Sequence, residues 1–148
     1  VLMQKDMMFF PDEKYELPLY GNQWIPLGVK TTLQEKVRLS AALDKACNGG
    51  SIAHINIDKP FNNFDTAWKM LNYVADQGVV YFAFCTRISA CEENHGFYGD
   101  TCPICGKPKV TTYQRIVGFL TPERTYSKER KVEFKMRDWM DLNAMSEM

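Results

Sequence analysis

Three cysteines and a histidine lie close together between residues 91 and 105: Cys91, His95, Cys102 and Cys105. Cys102-Pro103-Ile104-Cys105-Gly106 is a zinc-ribbon type of turn. Two thiolates at this spacing can grip one ion, and the glycine permits the tight backbone that aims amides at sulfur. A tetrahedral structural site needs four ligands. Cys91 is the natural third. A second Cys-x-x-Cys would put the fourth at position 94, which is Asn94, but His95 stands next to it and can ligate through an imidazole nitrogen. The expected set is therefore Cys91, His95, Cys102 and Cys105 around a structural zinc, with no position left open for a substrate. The competing reading makes Cys91 a buried thiol and His95 a surface residue. A short loop of this kind buries little apolar surface, so the ion would supply its folding energy.

A second feature follows the knuckle. Gly118 lies inside Ile116-Val117-Gly118-Phe119-Leu120, an apolar run with no evident turn signal. Glycine there loses backbone entropy and packs nothing, so the position asks for a reason. A bulge or a close backbone approach is one. Chemistry is the other. Only glycine can lose an α-hydrogen to leave a planar carbon radical with no side chain against the flanking peptide groups.

The elements that must hold these residues read as follows. Residues 1–30, with Pro11, Pro18 and Pro26, predict an irregular segment whose apolar centre, 19–27, is buried or lines a cavity. Thr32 to Cys47 predicts a helix with a Thr32/Glu35 capping box, and Leu33, Val37, Ala41, Leu39 and Leu43 form a broad buried face. Asn48-Gly49-Gly50 stops it. Ser51–Ile57 predicts a strand. A second helix, capped by Asn63 or Asp65, buries Trp68, Leu71, Val74 and Ala75 and ends at Gln77-Gly78. Val79–Phe84 is nearly continuous apolar, as expected of a strand covered on both faces. Strand, helix and strand make a βαβ unit with a parallel pair and a right-handed crossover. Ser127 to about Leu142 predicts a charged helix with Val132, Phe134, Met136 and Trp139 as its apolar contacts.

Composition bounds the function. The chain has 148 residues, 45% hydrophobic and 13% aromatic, with a formal net charge of +0. That length supports one globular domain, and the charge offers no basic excess for nucleic acid. No apolar run is long enough to cross a bilayer. Five cysteines, three of them beside a histidine, suit a reducing cytoplasm and a metal site better than a disulfide framework. The chain begins at Val1 without a signal-peptide pattern, and is expected to be a piece of a longer protein.

Arg115-Ile116-Val117-Gly118-Phe119-Leu120 is similar to the glycyl-radical motif: an arginine, the radical glycine three residues later, then an aromatic. With a cysteine knuckle just ahead of it, the chain resembles the anaerobic (class III) ribonucleoside-triphosphate reductases. Further matches are Leu19-Tyr20-Gly21-Asn22-Gln23-Trp24-Ile25-Pro26-Leu27, His54-Ile55-Asn56-Ile57, Trp68-Lys69-Met70-Leu71-Asn72-Tyr73 and Tyr81-Phe82-Ala83-Phe84. The likeness runs over essentially the whole chain.

It implies the C-terminal part of a reductase several times longer, cytoplasmic and homodimeric. The implied fold class is α/β: part of a ten-stranded α/β barrel of the glycyl-radical enzyme type, over residues 1–90. A zinc knuckle, radical loop and C-terminal helix would occupy 91–148. Gly118 would store a radical installed by an iron–sulfur partner that cleaves S-adenosylmethionine. It would then oxidise a cysteine to a thiyl radical that takes the 3′-hydrogen of a ribonucleoside triphosphate, for the synthesis of DNA precursors. Close contact with that cysteine would exclude a side chain at position 118.

The chain departs from the family pattern in two ways. One of the two usual Cys-x-x-Cys pairs is reduced to Cys91 with Asn94-His95, and the thiyl cysteine matches neither Cys47 nor Cys85. Both of these read as inert thiols. Asn22 and Gln23 can fix a ribose or phosphate by hydrogen bonds, or simply satisfy backbone. His54 reads as a core histidine. Arg115 either anchors the loop through a carboxylate or lies on the surface. Two other functions compete: a zinc-ribbon module for nucleic acid or protein, using Lys107, Lys109 and Arg115, and a formate-lyase-type acyltransferase. The first lacks a basic stripe. The second lacks this knuckle and would need paired catalytic cysteines.

Overall fold

A computed structural model of the chain describes residues 21, 23–116 and 118–142. The expectations for residues 1–20 and for Asn22 lie outside these. The described part is mixed α/β, with a parallel pair of strands flanked by helices and a separate antiparallel sheet.

Helix α1 (Leu33–Asp44) starts where its capping box requires. Glu35 N–H donates to Thr32 Oγ1 at 3.2 Å, and Thr32 N–H donates to Glu35 Oε2 at 2.9 Å. Strand β1 (Ala53–Asn56) is buried throughout, on both faces. Asn63 caps α2 (Phe64–Asp76), accepting the Thr66 N–H at 2.8 Å. The helix terminates at Gly78, whose φ of +86° suits a residue without Cβ. Strand β2 (Phe82–Cys85) then pairs parallel with β1, from Ala53↔Phe82 to Asn56↔Cys85.

The core between these elements contains Leu33, Val37, Ala41, Ile55, Ile57, Met70, Val74 and Val79. Several stripes differ from expectation. Leu39 and Leu43 on α1 are exposed, and Lys36, Ser40 and Asp44 take the buried positions instead. On α2, Met70 and Val74 are buried, whereas Trp68 (55% exposed), Leu71 and Ala75 face outward. Phe64 and Trp68 stack on that outer face with ring centroids 5.9 Å apart. Val80 and Tyr81 precede β2 and are exposed, so the apolar run is not covered on both faces among the described residues. Trp24 is likewise 43% exposed rather than buried. Its Nε1–H donates to Asp44 Oδ1 at 3.1 Å. In each case tertiary contact, not helical or strand period, selects which apolar residue goes inward.

The antiparallel sheet has the order β4-β3-β5-β6, formed by β3 (Ile88–Ala90), β4 (Gly96–Phe97), β5 (Thr111–Arg115) and β6 (Leu120–Pro122). A short 3₁₀ turn follows, then α3 (Lys128–Met136), capped by Ser127. Phe134 and Trp139 pack edge to face at 6.4 Å, while Val132 and Met136 are exposed. The helix ends at Met136, earlier than expected. Residues beyond it return to β1: Met140 N–H donates to Asn56 O and Asp58 N–H donates to Met140 O, both at 3.0 Å.

Candidate metal centre and glycine hairpin

The β3–β4 turn and the 102–106 turn bring four donor atoms together. Cys91 follows β3 directly, and Asn94 at φ +60° turns the chain so that His95 faces back toward it. Asn tolerates this left-handed conformation better than most residues. Gly106, at φ +71°, closes the second turn, with its N–H donating to Cys102 O at 2.9 Å. The ligand atoms of Cys91, His95, Cys102 and Cys105 all lie within 4.8 Å of one another.

Three of these separations are 3.6 Å: Cys91 Sγ to His95 Nδ1, Cys102 Sγ to His95 Nδ1, and Cys105 Sγ to Cys91 Sγ. A tetrahedron with metal–sulfur bonds of about 2.3 Å has sulfur–sulfur edges of about 3.8 Å, so the set fits one four-coordinate ion. Cys91 and Cys102 are 1% exposed. Burial pushes the Cys102 thiol up, but hydrogen bonds from the Cys105 and Ile104 backbone outweigh it and hold the group below its ordinary value. All five cysteines are unbridged. Among the described residues, Phe97 and the cysteines themselves form the apolar cluster here, a small core for the loop to rest on.

Around the knuckle the positive charges are matched. Lys107 pairs with Glu92 at 3.4 Å and Glu93 at 2.7 Å, and Lys109 pairs with Asp100 at 2.7 Å. The lysines that a nucleic-acid module would use are thus committed to neighbouring carboxylates.

Gly118 lies in the connection between β5 and β6, whose last register pair is Arg115↔Leu120. The glycine thus sits in a turn and not in a bulge within a strand, which was one of the readings that the spacing left open. The apolar run divides between a hairpin turn and β6, and hydrophobicity alone did not reveal the turn. Gly118, Phe119 and Leu120 are exposed. A Cβ at Gly118 would meet no described atom within 4 Å, so this chain itself does not crowd or enclose the position. Arg115 Nη1 donates to Gly118 O, in place of the expected carboxylate partner.

Gln23 Oε1 accepts the His54 N–H at 2.7 Å, so this amide serves the β1 backbone. His54 is buried on β1. Cys85 ends β2 and is 2% exposed, and burial pushes its thiol up to about 11 against the opposing influence of Arg115, Arg137 and Lys36. Sequence reasoning missed the residues beneath the hairpin: Asn56, Gln114, Tyr126, Glu133 and Arg137. The spacing of Glu133 and Arg137 was a usable signal, since residues four apart meet on a helix.

The family model for the anaerobic ribonucleoside-triphosphate reductases matches residues 1–139. A solved anaerobic ribonucleotide reductase is 45% identical, with a TM-score of 0.85, over 95% of this chain and 23% of that one. The Thermotoga maritima enzyme with glycerol in its active site is also 45% identical, with a TM-score of 0.76, over 89% of this chain and 22% of that one. The same enzyme in complex with dATP and CTP is 43% identical, with a TM-score of 0.72, over 92% and 22%. No curated protein matches the chain. The chain therefore spans less than a quarter of the length of the solved structures that it resembles. A family match over residues 1–139, with 45% identity to a solved structure over 95% of the chain, makes it a member of the anaerobic ribonucleoside-triphosphate reductase family.

Proposed function

We propose that this chain is the radical-bearing C-terminal region of an enzyme that reduces ribonucleoside triphosphates to deoxyribonucleoside triphosphates in the anaerobic cytoplasm. Gly118 stores the radical. The observation that carries the reading is a hairpin tip with glycine between Arg115 and Phe119, in a chain of this family. An S-adenosylmethionine-cleaving iron–sulfur partner removes one α-hydrogen atom. The glycyl radical takes the hydrogen atom of a cysteine thiol elsewhere in the longer chain. The thiyl radical takes the ribose 3′-hydrogen, and the 2′-hydroxyl leaves as water with the 3′-hydroxyl proton. Two electrons from formate or a thiol protein and two protons reduce the resulting keto radical, and the cysteine thiol returns a hydrogen atom to C3′, which regenerates the thiyl radical.

Residues 1–90 supply part of the ten-stranded barrel, and 91–148 form the knuckle, hairpin and C-terminal helix of a homodimeric enzyme. Zinc held by Cys91, His95, Cys102 and Cys105 gives this second region its rigidity; the closed ligand set leaves it no part in the chemistry. Enclosure of Gly118 falls to the remainder of the reductase chain. Asn22 is proposed to contact substrate. Gln23 is bound to β1 backbone and serves the site by holding the 21–30 loop in place.

Low-temperature electron spin resonance on the anaerobic, activated full-length protein tests the reading. The expected result is a doublet that is lost in Gly118→Ala, with oxygen cutting the wild-type backbone at residue 118. No doublet after anaerobic activation, together with a chain that stays intact when air is then admitted, would overturn it.

A further inference from the structure

Gly118 has few contacts of its own, but the base of its hairpin is tightly held. Arg137 has a side chain only 1% exposed. Its Nε donates to Glu133 Oε1 at 2.8 Å and its Nη2 to Glu133 Oε2 at 3.0 Å. This two-pronged pairing fixes the guanidinium plane. The remaining Nη1 donates to Arg115 O at 3.1 Å, at the last residue of β5. Glu133 is steadied in turn by Arg130 at 3.1 Å.

Tyr126 acts beside it. Its hydroxyl lies 3.4 Å from Gln114 O and 3.3 Å from Thr121 O, carbonyls of residues paired across the hairpin. One proton serves either carbonyl, so both strands are held from the same point. Phe134 packs edge to face on Tyr126 at 5.7 Å and lies under Arg137 at 5.5 Å.

The same structure is tied to the parallel sheet. Gln114 Nε2 donates to Asn56 Oδ1 at 3.2 Å, and both side chains are fully buried. Met140, three residues beyond Arg137, brackets Ile57 through backbone hydrogen bonds, its N–H donating to Asn56 O and its carbonyl accepting from the Asp58 N–H. One short segment therefore grips the hairpin at Arg137 and β1 at Met140.

We propose that Tyr126, Glu133 and Arg137 are positioning residues that set the place of Gly118 relative to β1, and through it relative to the reacting thiol. The proposal rests on the reading of Gly118 as the radical site. Hydrogen transfer needs the reacting atoms within about 3–3.5 Å, and a misplacement of about 1 Å costs roughly 100-fold in rate. Among the described residues, the exposed tip is held only from within the hairpin, by Arg115 Nη1 on Gly118 O, whereas Arg137 and Tyr126 hold its base from outside the hairpin.

The test uses full-length reductase, activated anaerobically, as Tyr126→Phe and Glu133→Gln. Both keep the packing volume. The expected result is wild-type metal content, a wild-type glycyl doublet per chain, unchanged KM and a kcat lowered about 10- to 100-fold. Wild-type kcat in both variants overturns the brace. So does a doublet reduced by the same factor as kcat, which would assign these residues to folding or activation. Absence of the doublet in the wild-type enzyme overturns the Gly118 reading itself and removes this proposal with it.

Discussion

Replacing His95 by alanine tests the proposed fourth ligand of the candidate metal centre. Structural zinc sites bind with apparent free energies of about 10–16 kcal/mol. Shared over four donors, that is roughly 2.5–4 kcal/mol each, or about a 10²- to 10³-fold loss of affinity on deleting one. His95 Nδ1 stands 3.6 Å from two thiols, at the edge length of a tetrahedral site, so the whole of this loss is expected in His95→Ala. Asn94 occupies the position where a second Cys-x-x-Cys would place the ligand, but it is committed to the left-handed turn. Asn94→Ala should cost backbone strain and leave the affinity within a few-fold. Competition against a chromophoric zinc chelator measures both variants. Equal affinity in His95→Ala and wild type, or a large loss confined to Asn94→Ala, would refute the assignment built on these distances.

Other expectations concern the scaffold. Burial acts to raise the Asp44 carboxyl, but hydrogen bonds from Ser51, the Val80 N–H and Trp24 win and hold it below the usual carboxylate range. The stabilisation it provides is therefore complete well above the unfolded value of about 3.9 and fades as pH falls through the lower folded value. The advantage of wild type over Asp44→Asn in thermal unfolding should shrink below about pH 4, and a gap that widens in acid would contradict this. Asp44→Ala should cost about 1–3 kcal/mol in denaturant unfolding at pH 7, because the hydrogen bonds of Trp24, Ser51 and the Val80 N–H to one charged carboxylate are lost together. Asn63→Ala should cost about 1 kcal/mol by the same measurement, through loss of the α2 cap. Cys85, held near 11, carries a thiolate fraction of about 10⁻³ at pH 8, so timed alkylation should modify half-buried Cys47 first.

The sequence was most readable where local chemistry decides the structure. The Thr32/Glu35 box, the Asn63 cap, the Gly78 stop and the parallel pairing all follow from neighbouring residues, and all are present. The cysteine and histidine spacing likewise led to four side chains that the fold brings together. It was least readable where burial depends on distant partners. Trp68, Leu71, Leu39 and Leu43 have the spacing of core residues yet face outward, while Lys36 and Asp44 go in. The hairpin around Gly118 was hidden because its residues are as apolar as those of a strand. The supports beneath it, Asn56 with Gln114 and Arg137 with Arg115, join positions far apart in the chain, which no local pattern encodes.

Only Thr86 and Arg87 separate the end of β2 from the start of β3. So short a splice couples the sheet that carries the cysteine–histidine cluster to the parallel pair. If the cluster holds the proposed zinc, chelation should be felt upstream, as faster amide exchange in β2 and then in its partner β1, and the ion would act as a tensioner for the strands nearest to it.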